Sequence, residues 1–132
     1  MKLSVDTNAY RAFVDGDPQF VDAIQKAEVL AFSVVVLGEL HAGFKSGTKQ
    51  LENEEVLSRV LARHRVVVHS IGASTASIYG AVSSDLRKNG HPIPSNDIWI
   101  AAQCLEYEFT LLTRDSHFRF VSNLDVLPVH VQ

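Results

Sequence analysis

Four short apolar runs, each followed by a helix-forming stretch, leave this chain few folds to adopt. The runs are Leu3–Val5, Val29–Phe32, Val66–Val68 and Thr110–Thr113. They are too short for helices and almost continuously apolar, as strands covered on both faces are. Strands alternating with helices imply a parallel sheet. A fifth run, Val126–Val131, is a candidate closing strand. The expectation is an α/β fold, with one domain over residues 1–132 and a central parallel sheet of four to five strands flanked by helices. A chain of 132 residues sits near the modal domain size and buries enough surface for a core without staples.

The stretches between the runs carry their own punctuation. Ala9–Val14 reads as a short helix that stops near Gly16. Asp17-Pro18 then supplies an N-cap and a first-turn proline, ahead of an apolar stripe of Phe20, Val21, Ile24 and Ala27. Ser33 caps a helix over Val34–Lys45. Ser46–Glu54 is polar, contains Gly47 and reads as a loop or a helix start, followed by a helix over Glu55–His64. Ser74–Asn89 is a long helix that Gly90 stops. The prolines of His91-Pro92-Ile93-Pro94 force extended chain. Ser95 is expected to cap an apolar helix over Asn96–Tyr107, and Asp115–Phe120 to form a short helical turn.

Composition narrows the function classes. A formal net charge of −3 is a poor footprint for gripping nucleic acid by bulk electrostatics, so a nuclease reading would need metal ions or locally clustered cations. Cys104 is the single cysteine, which excludes an internal disulfide and a cysteine-based zinc cluster. No apolar stretch reaches the roughly 18 residues of a spanning helix, and the chain enters its first strand without a basic-then-apolar leader. A cytoplasmic protein without a membrane segment is expected.

Against this background four acids stand out. Asp6 ends the first strand and is followed by Thr7 and Asn8. Ligands of open α/β sheets bind at such strand ends, although an Asp there also serves as a helix N-cap. Glu39 shares one helical stripe with Val36, Leu40 and Gly43, and a carboxylate on an apolar stripe calls for a partner or a metal. Asp97 lies on one face with Ile100, Ala101 and Cys104, in a helix first turn where the dipole also favours it. Asp115 follows the strand ending at Thr113. Each acid has a structural reading of its own. Jointly, three of them sit at strand-to-helix junctions expected on one edge of the sheet and the fourth on the inner face of a helix near it, where four carboxylates repel and a divalent cation relieves the repulsion. All-oxygen ligands favour Mg²⁺ or Mn²⁺ over zinc.

Four separated segments carry a family resemblance: Val5-Asp6-Thr7-Asn8, Leu37-Gly38-Glu39-Leu40, Asn96-Asp97-Ile98-Trp99-Ile100-Ala101-Ala102, and Leu112-Thr113-Arg114-Asp115 with Phe118. In order and spacing they resemble a PIN domain, over about residues 3–128, and within that family the VapC-type toxins of bacterial toxin–antitoxin pairs. The resemblance implies a Mg²⁺- or Mn²⁺-dependent endoribonuclease that leaves a 5′-phosphate and a 3′-hydroxyl. The implied catalytic and metal-binding residues are Asp6, Glu39, Asp97 and Asp115, with Thr7, Asn8 and Thr113 as polar support. Ser116 and His117 stand where many relatives carry a further acid. The implied partners are an RNA substrate, such as tRNA or rRNA, a small antitoxin that covers the acidic site, and a second copy in a homodimer.

Arg114, beside the acids, is a candidate for contact with a substrate phosphate or for pairing with a carboxylate. Arg11, Lys45, Lys49, Arg87 and Lys88 are further basic candidates. Trp99 and Tyr10 read as packing residues, and no histidines show metal-ligand spacing. Two rival enzymes lack required residues: a phosphoacceptor receiver needs a Lys after its last strand, and a haloacid-dehalogenase-type phosphatase needs an acid where Asn8 stands. The remaining alternative is a catalytically weak or inactive PIN-fold module that binds a partner protein.

Overall fold

Leu3 and Val5 are fully buried and Ser4 between them is 3% exposed, which makes β1 (Lys2–Val5) the middle of the molecule. Such a strand has no wet face and can only lie inside a sheet covered on both sides. The computed structural model describes residues 1–128. β1 pairs in parallel with β2 (Val29–Ser33), Val5 opposite Phe32, and with β4 (Thr110–Thr113), Val5 opposite Leu112. β3 (Val66–His69) extends the sheet beyond β2, and β5 (Val126–Pro128) extends it beyond β4. The order is β3-β2-β1-β4-β5, all parallel. The rest of the expected closing strand lies outside the described residues.

Helix pairs make the crossovers: α1 (Thr7–Val14) and α2 (Pro18–Lys26), then α3 (Val34–Ser46) and α4 (Gln50–Leu61), then α5 (Ala73–Lys88) and α6 (Ser95–Tyr107). Two of the expected caps form. Asp17 accepts from the Gln19 N–H ahead of Pro18, and the Ser33 hydroxyl accepts from the Val35 N–H at 3.0 Å. Gly90 follows α5 at φ +74°, where an L side chain would be strained. Phe20, Ile24, Phe32, Leu40, Leu86, Ile100 and Phe118 fill the space between helices and sheet.

Most boundaries shift by one or two residues from the sequence reading, and three of the differences have a clear local cause. α4 starts at Gln50, inside the segment read as a loop or helix start; among its residues only Leu57 is buried, so its polar N-terminal half carries no stripe. It ends at Leu61 rather than His64. The turn beyond is pinned by Arg65, whose guanidinium donates to the Ile24 and Ala27 carbonyls at 2.7 and 2.6 Å. Ser95 is the first residue of α6 and not its cap. The Asp97 and Ile98 N–H groups donate to the Pro94 carbonyl, one residue earlier.

Candidate active site

The strand order reverses between β1 and β4. In such sheets the crevice at the carboxyl ends of the strands flanking that switch point is where ligands bind. Asp6 leaves β1 there and Asp115 follows β4. A cleft of about 600 Å³ opens at this place, lined by Asp6, Glu39, Asp97 and Asp115 with Thr7, Asn8 and Asn96. The structure therefore brings together all four acids read from the sequence.

Asp6 is 3% exposed. Its Oδ1 caps α1 by accepting from the Ala9 N–H at 2.8 Å, and its Oδ2 accepts from the Thr113 hydroxyl. The capping role and the cleft position thus coexist in one side chain. Burial pushes the Asp6 carboxyl up to about 6; the Thr113 and Ala9 bonds pull against that rise, while Asp115 and Asp97 add to it. Asp97 is also raised above its ordinary value, first by burial and then by Asp115 and Glu39, with His117 opposing.

The other acids are held by neighbours. Glu39 lies at the rim of α3's buried stripe, beside fully buried Val36 and Leu40, and its Oε1 accepts from the Thr7 hydroxyl at 2.8 Å. The Asp115 side chain makes no cap; instead its backbone N–H donates to Thr113 Oγ1 at 3.0 Å. His117 Nε2 comes within 2.9 Å of Asp97 Oδ2, yet among the described residues it has no hydrogen-bond partner, so the contact is close but out of line.

Arg114 is placed elsewhere. It does not line the cleft, and among the described residues it forms no ion pair, so the carboxylate pairing considered from sequence is not made. Its guanidinium lies 5.1 Å from the centre of the Phe20 ring. Arg11 does line the cleft. The i, i+4 spacing from Thr7 was the available signal, since both fall on one face of α1. Tyr10 packs edge-on against Phe32 at 5.5 Å and Trp99 stacks on Tyr79 at 4.1 Å, in keeping with packing roles.

The donor set fits a hard divalent cation. It consists of carboxylates with hydroxyl and amide neighbours, and two of the carboxylates are destabilised as anions by burial and mutual repulsion, the condition a cation relieves. Among the described residues no three His, Cys, Asp or Glu side chains stand in ready ligating geometry. This is an open acidic cleft in which Thr7 ties back Glu39 and Thr113 ties back Asp6.

Residues 3–124 match the PIN domain family model. Ribonuclease VapC2 of Rickettsia felis is 29% identical over 105 residues, covering 79% of this chain and 77% of that protein. Ribonuclease VapC4 of Mycobacterium tuberculosis is 27% identical over 101 residues, covering 74% and 75%. The crystal structure of VapBC2 from Rickettsia felis, bound to a DNA fragment from its promoter, superposes with a TM-score of 0.86 at 25% identity, covering 97% of this chain and 98% of that one. The chain belongs to the PIN domain family and is similar, within it, to the VapC ribonucleases.

Proposed function

We propose that this protein is a toxin of the VapC type, a Mg²⁺- or Mn²⁺-dependent endoribonuclease that hydrolyses RNA to 5′-phosphate and 3′-hydroxyl ends. The observation that carries the reading is the cleft at the switch point, where four carboxylates from separate segments line one space. Asp6, Glu39, Asp97 and Asp115 would hold the ion. When bound, such an ion activates water and offsets the charge of the scissile phosphate. Thr113 orients Asp6, and Thr7 orients Glu39. Asn8, exposed on the cleft wall, would donate to an incoming phosphodiester.

Relatives named as VapC ribonucleases support the choice of RNA, with tRNA and rRNA as the substrates to try first. The matched VapBC complex supports an antitoxin partner, and in this reading that partner covers the cleft until it is removed. A homodimer in the cytoplasm completes the proposal; no helix among the described residues is long and apolar enough to cross a membrane. One observation favours the alternative of a partner-binding module with little activity, namely that among the described residues no three His, Cys, Asp or Glu side chains stand in ligating geometry.

The test is cleavage of tRNA and rRNA by protein freed of any co-purifying partner, in Mg²⁺ or Mn²⁺, in EDTA, and with Asp97→Asn. The reading expects cleavage that needs the ion and is lost in the variant, with phosphate at the new 5′ ends. Absence of both cleavage and metal binding would move the protein to the partner-binding module. Cleavage by a well-folded Asp97→Asn at the wild-type rate would remove Asp97 from the site.

A further inference from the structure

Arg11 is the only Lys or Arg among the described residues that lines the acidic cleft. It also lines a second cavity, of about 330 Å³, together with Tyr10, Val14, Gly43, Phe44 and Val56. It therefore stands on the wall the two spaces share. A guanidinium beside carboxylates commonly forms a bidentate pair with one of them. Among the described residues the Arg11 guanidinium forms neither an ion pair nor a hydrogen bond, although Asp6, Glu39, Asp97 and Asp115 line the same cleft.

The position it occupies is kept open by a glycine. A Cβ at Gly43 would fall 2.6 Å from Arg11 Nη2, so the guanidinium lies against α3 where any other residue would place its side chain. Gly43 sits inside α3, where glycine is less stable than alanine. Gly38, in the same helix, has nothing within 4 Å of such a Cβ, so this close approach is specific to Gly43.

RNA approaching four carboxylates meets a repulsive field, and a guanidinium on the wall offsets it at the point of entry. We propose that Arg11 binds an RNA backbone phosphate flanking the scissile one, and that Gly43 provides the room in which it does so. This rests on the ribonuclease reading above. The guanidinium offers two parallel N–H donors to phosphate oxygens, a match that an ammonium lacks. A flanking contact is the same in ground and transition states, so it acts on KM and leaves kcat nearly unchanged. Arg11 also lies in the last turn of α1, where a cation suits the helix dipole. That role would show in stability and not in RNA affinity.

The experiment measures binding of a short fluorescein-labelled single-stranded RNA of mixed sequence across a salt series, in Ca²⁺ under conditions without cleavage. Arg11→Ala is expected to bind about tenfold more weakly near roughly 0.1 M salt, with the log–log salt slope reduced by about one. Arg11→Lys should recover the slope but only part of the affinity. Gly43→Ala should raise the melting temperature and weaken RNA binding, and in the Arg11→Ala background it should weaken binding no further. If wild type binds this RNA and Arg11→Ala matches it in affinity and slope, the Arg11 assignment is overturned while the ribonuclease reading stands. Unchanged RNA binding with a loss of antitoxin affinity overturns it equally and assigns Arg11 to a peptide carboxylate. If wild type neither binds nor cuts RNA, the ribonuclease reading itself fails.

Discussion

Thr113 and Asp6, 107 positions apart in the chain, are joined by a buried hydrogen bond from the Thr113 hydroxyl to Asp6 Oδ2. The strand register produces it: Val5 lies opposite Leu112, so the next residues of β1 and β4 emerge side by side at the carboxyl end of the sheet. The same Thr113 oxygen accepts the Asp115 N–H at 3.0 Å, which makes one hydroxyl the link between two of the four acids.

Thr113→Val keeps the shape of the side chain and removes that link. Asp6 Oδ2 and the Asp115 N–H lose their partner, which costs on the order of 1–3 kcal/mol in a buried setting. Because the Thr113 bond lowers the Asp6 pKa, the variant should titrate higher than wild type. Urea unfolding and carboxyl-detected NMR titration check both effects, and Thr113→Ser should recover most of each. An unchanged Asp6 titration in Thr113→Val would show that the bond does not hold the carboxylate.

The raised pKa of Asp6 gives the metal-free protein a defined pH dependence. Between the ordinary value of 3.8 and about 6, the folded state keeps a proton that the unfolded state releases. Stability from this group is therefore complete below about 3.8 and is lost as pH rises through about 6. The shift of Asp97 acts in the same direction. Asp6→Asn should abolish most of that decline and be more stable than wild type at neutral pH, by up to roughly 3 kcal/mol, while losing activity. Urea midpoints in EDTA across the window decide the matter; a variant that follows the wild-type slope refutes the account.

Mg²⁺ should reverse the penalty. Ionised carboxylates bind the ion and protonated ones do not, so binding releases protons and strengthens as pH rises through about 6. The melting temperature should rise with added Mg²⁺ well above that pH and stay flat well below it. An equal rise on both sides would place the ion away from Asp6.

Tyr10 is 2% exposed and its buried hydroxyl has no hydrogen-bond partner among the described residues, with a pKa pushed up to about 12 by burial. Removing an unsatisfied buried group costs little when packing is kept. Tyr10→Phe should be neutral or stabilising by up to about 1 kcal/mol in urea unfolding. A clear loss of stability would reveal a partner for the hydroxyl, such as ordered water.

The sequence by itself determined the α/β class, the five strand positions within the described residues and the identity of the four acids. Those features are local: a buried parallel strand is a short apolar run, and an acid in an apolar setting is visible wherever it stands. Tertiary structure decided which strand is central and where the order reverses, because periodicity within a segment says nothing about its neighbours. It decided that Thr113 meets Asp6 and that Thr7 meets Glu39, contacts made only when separate segments are brought into register. It also sent Arg114 to the Phe20 ring and set Arg11 against Gly43 on the cleft wall. Long basic side chains go where packing leaves room, and that room exists only after the helices have docked on the sheet.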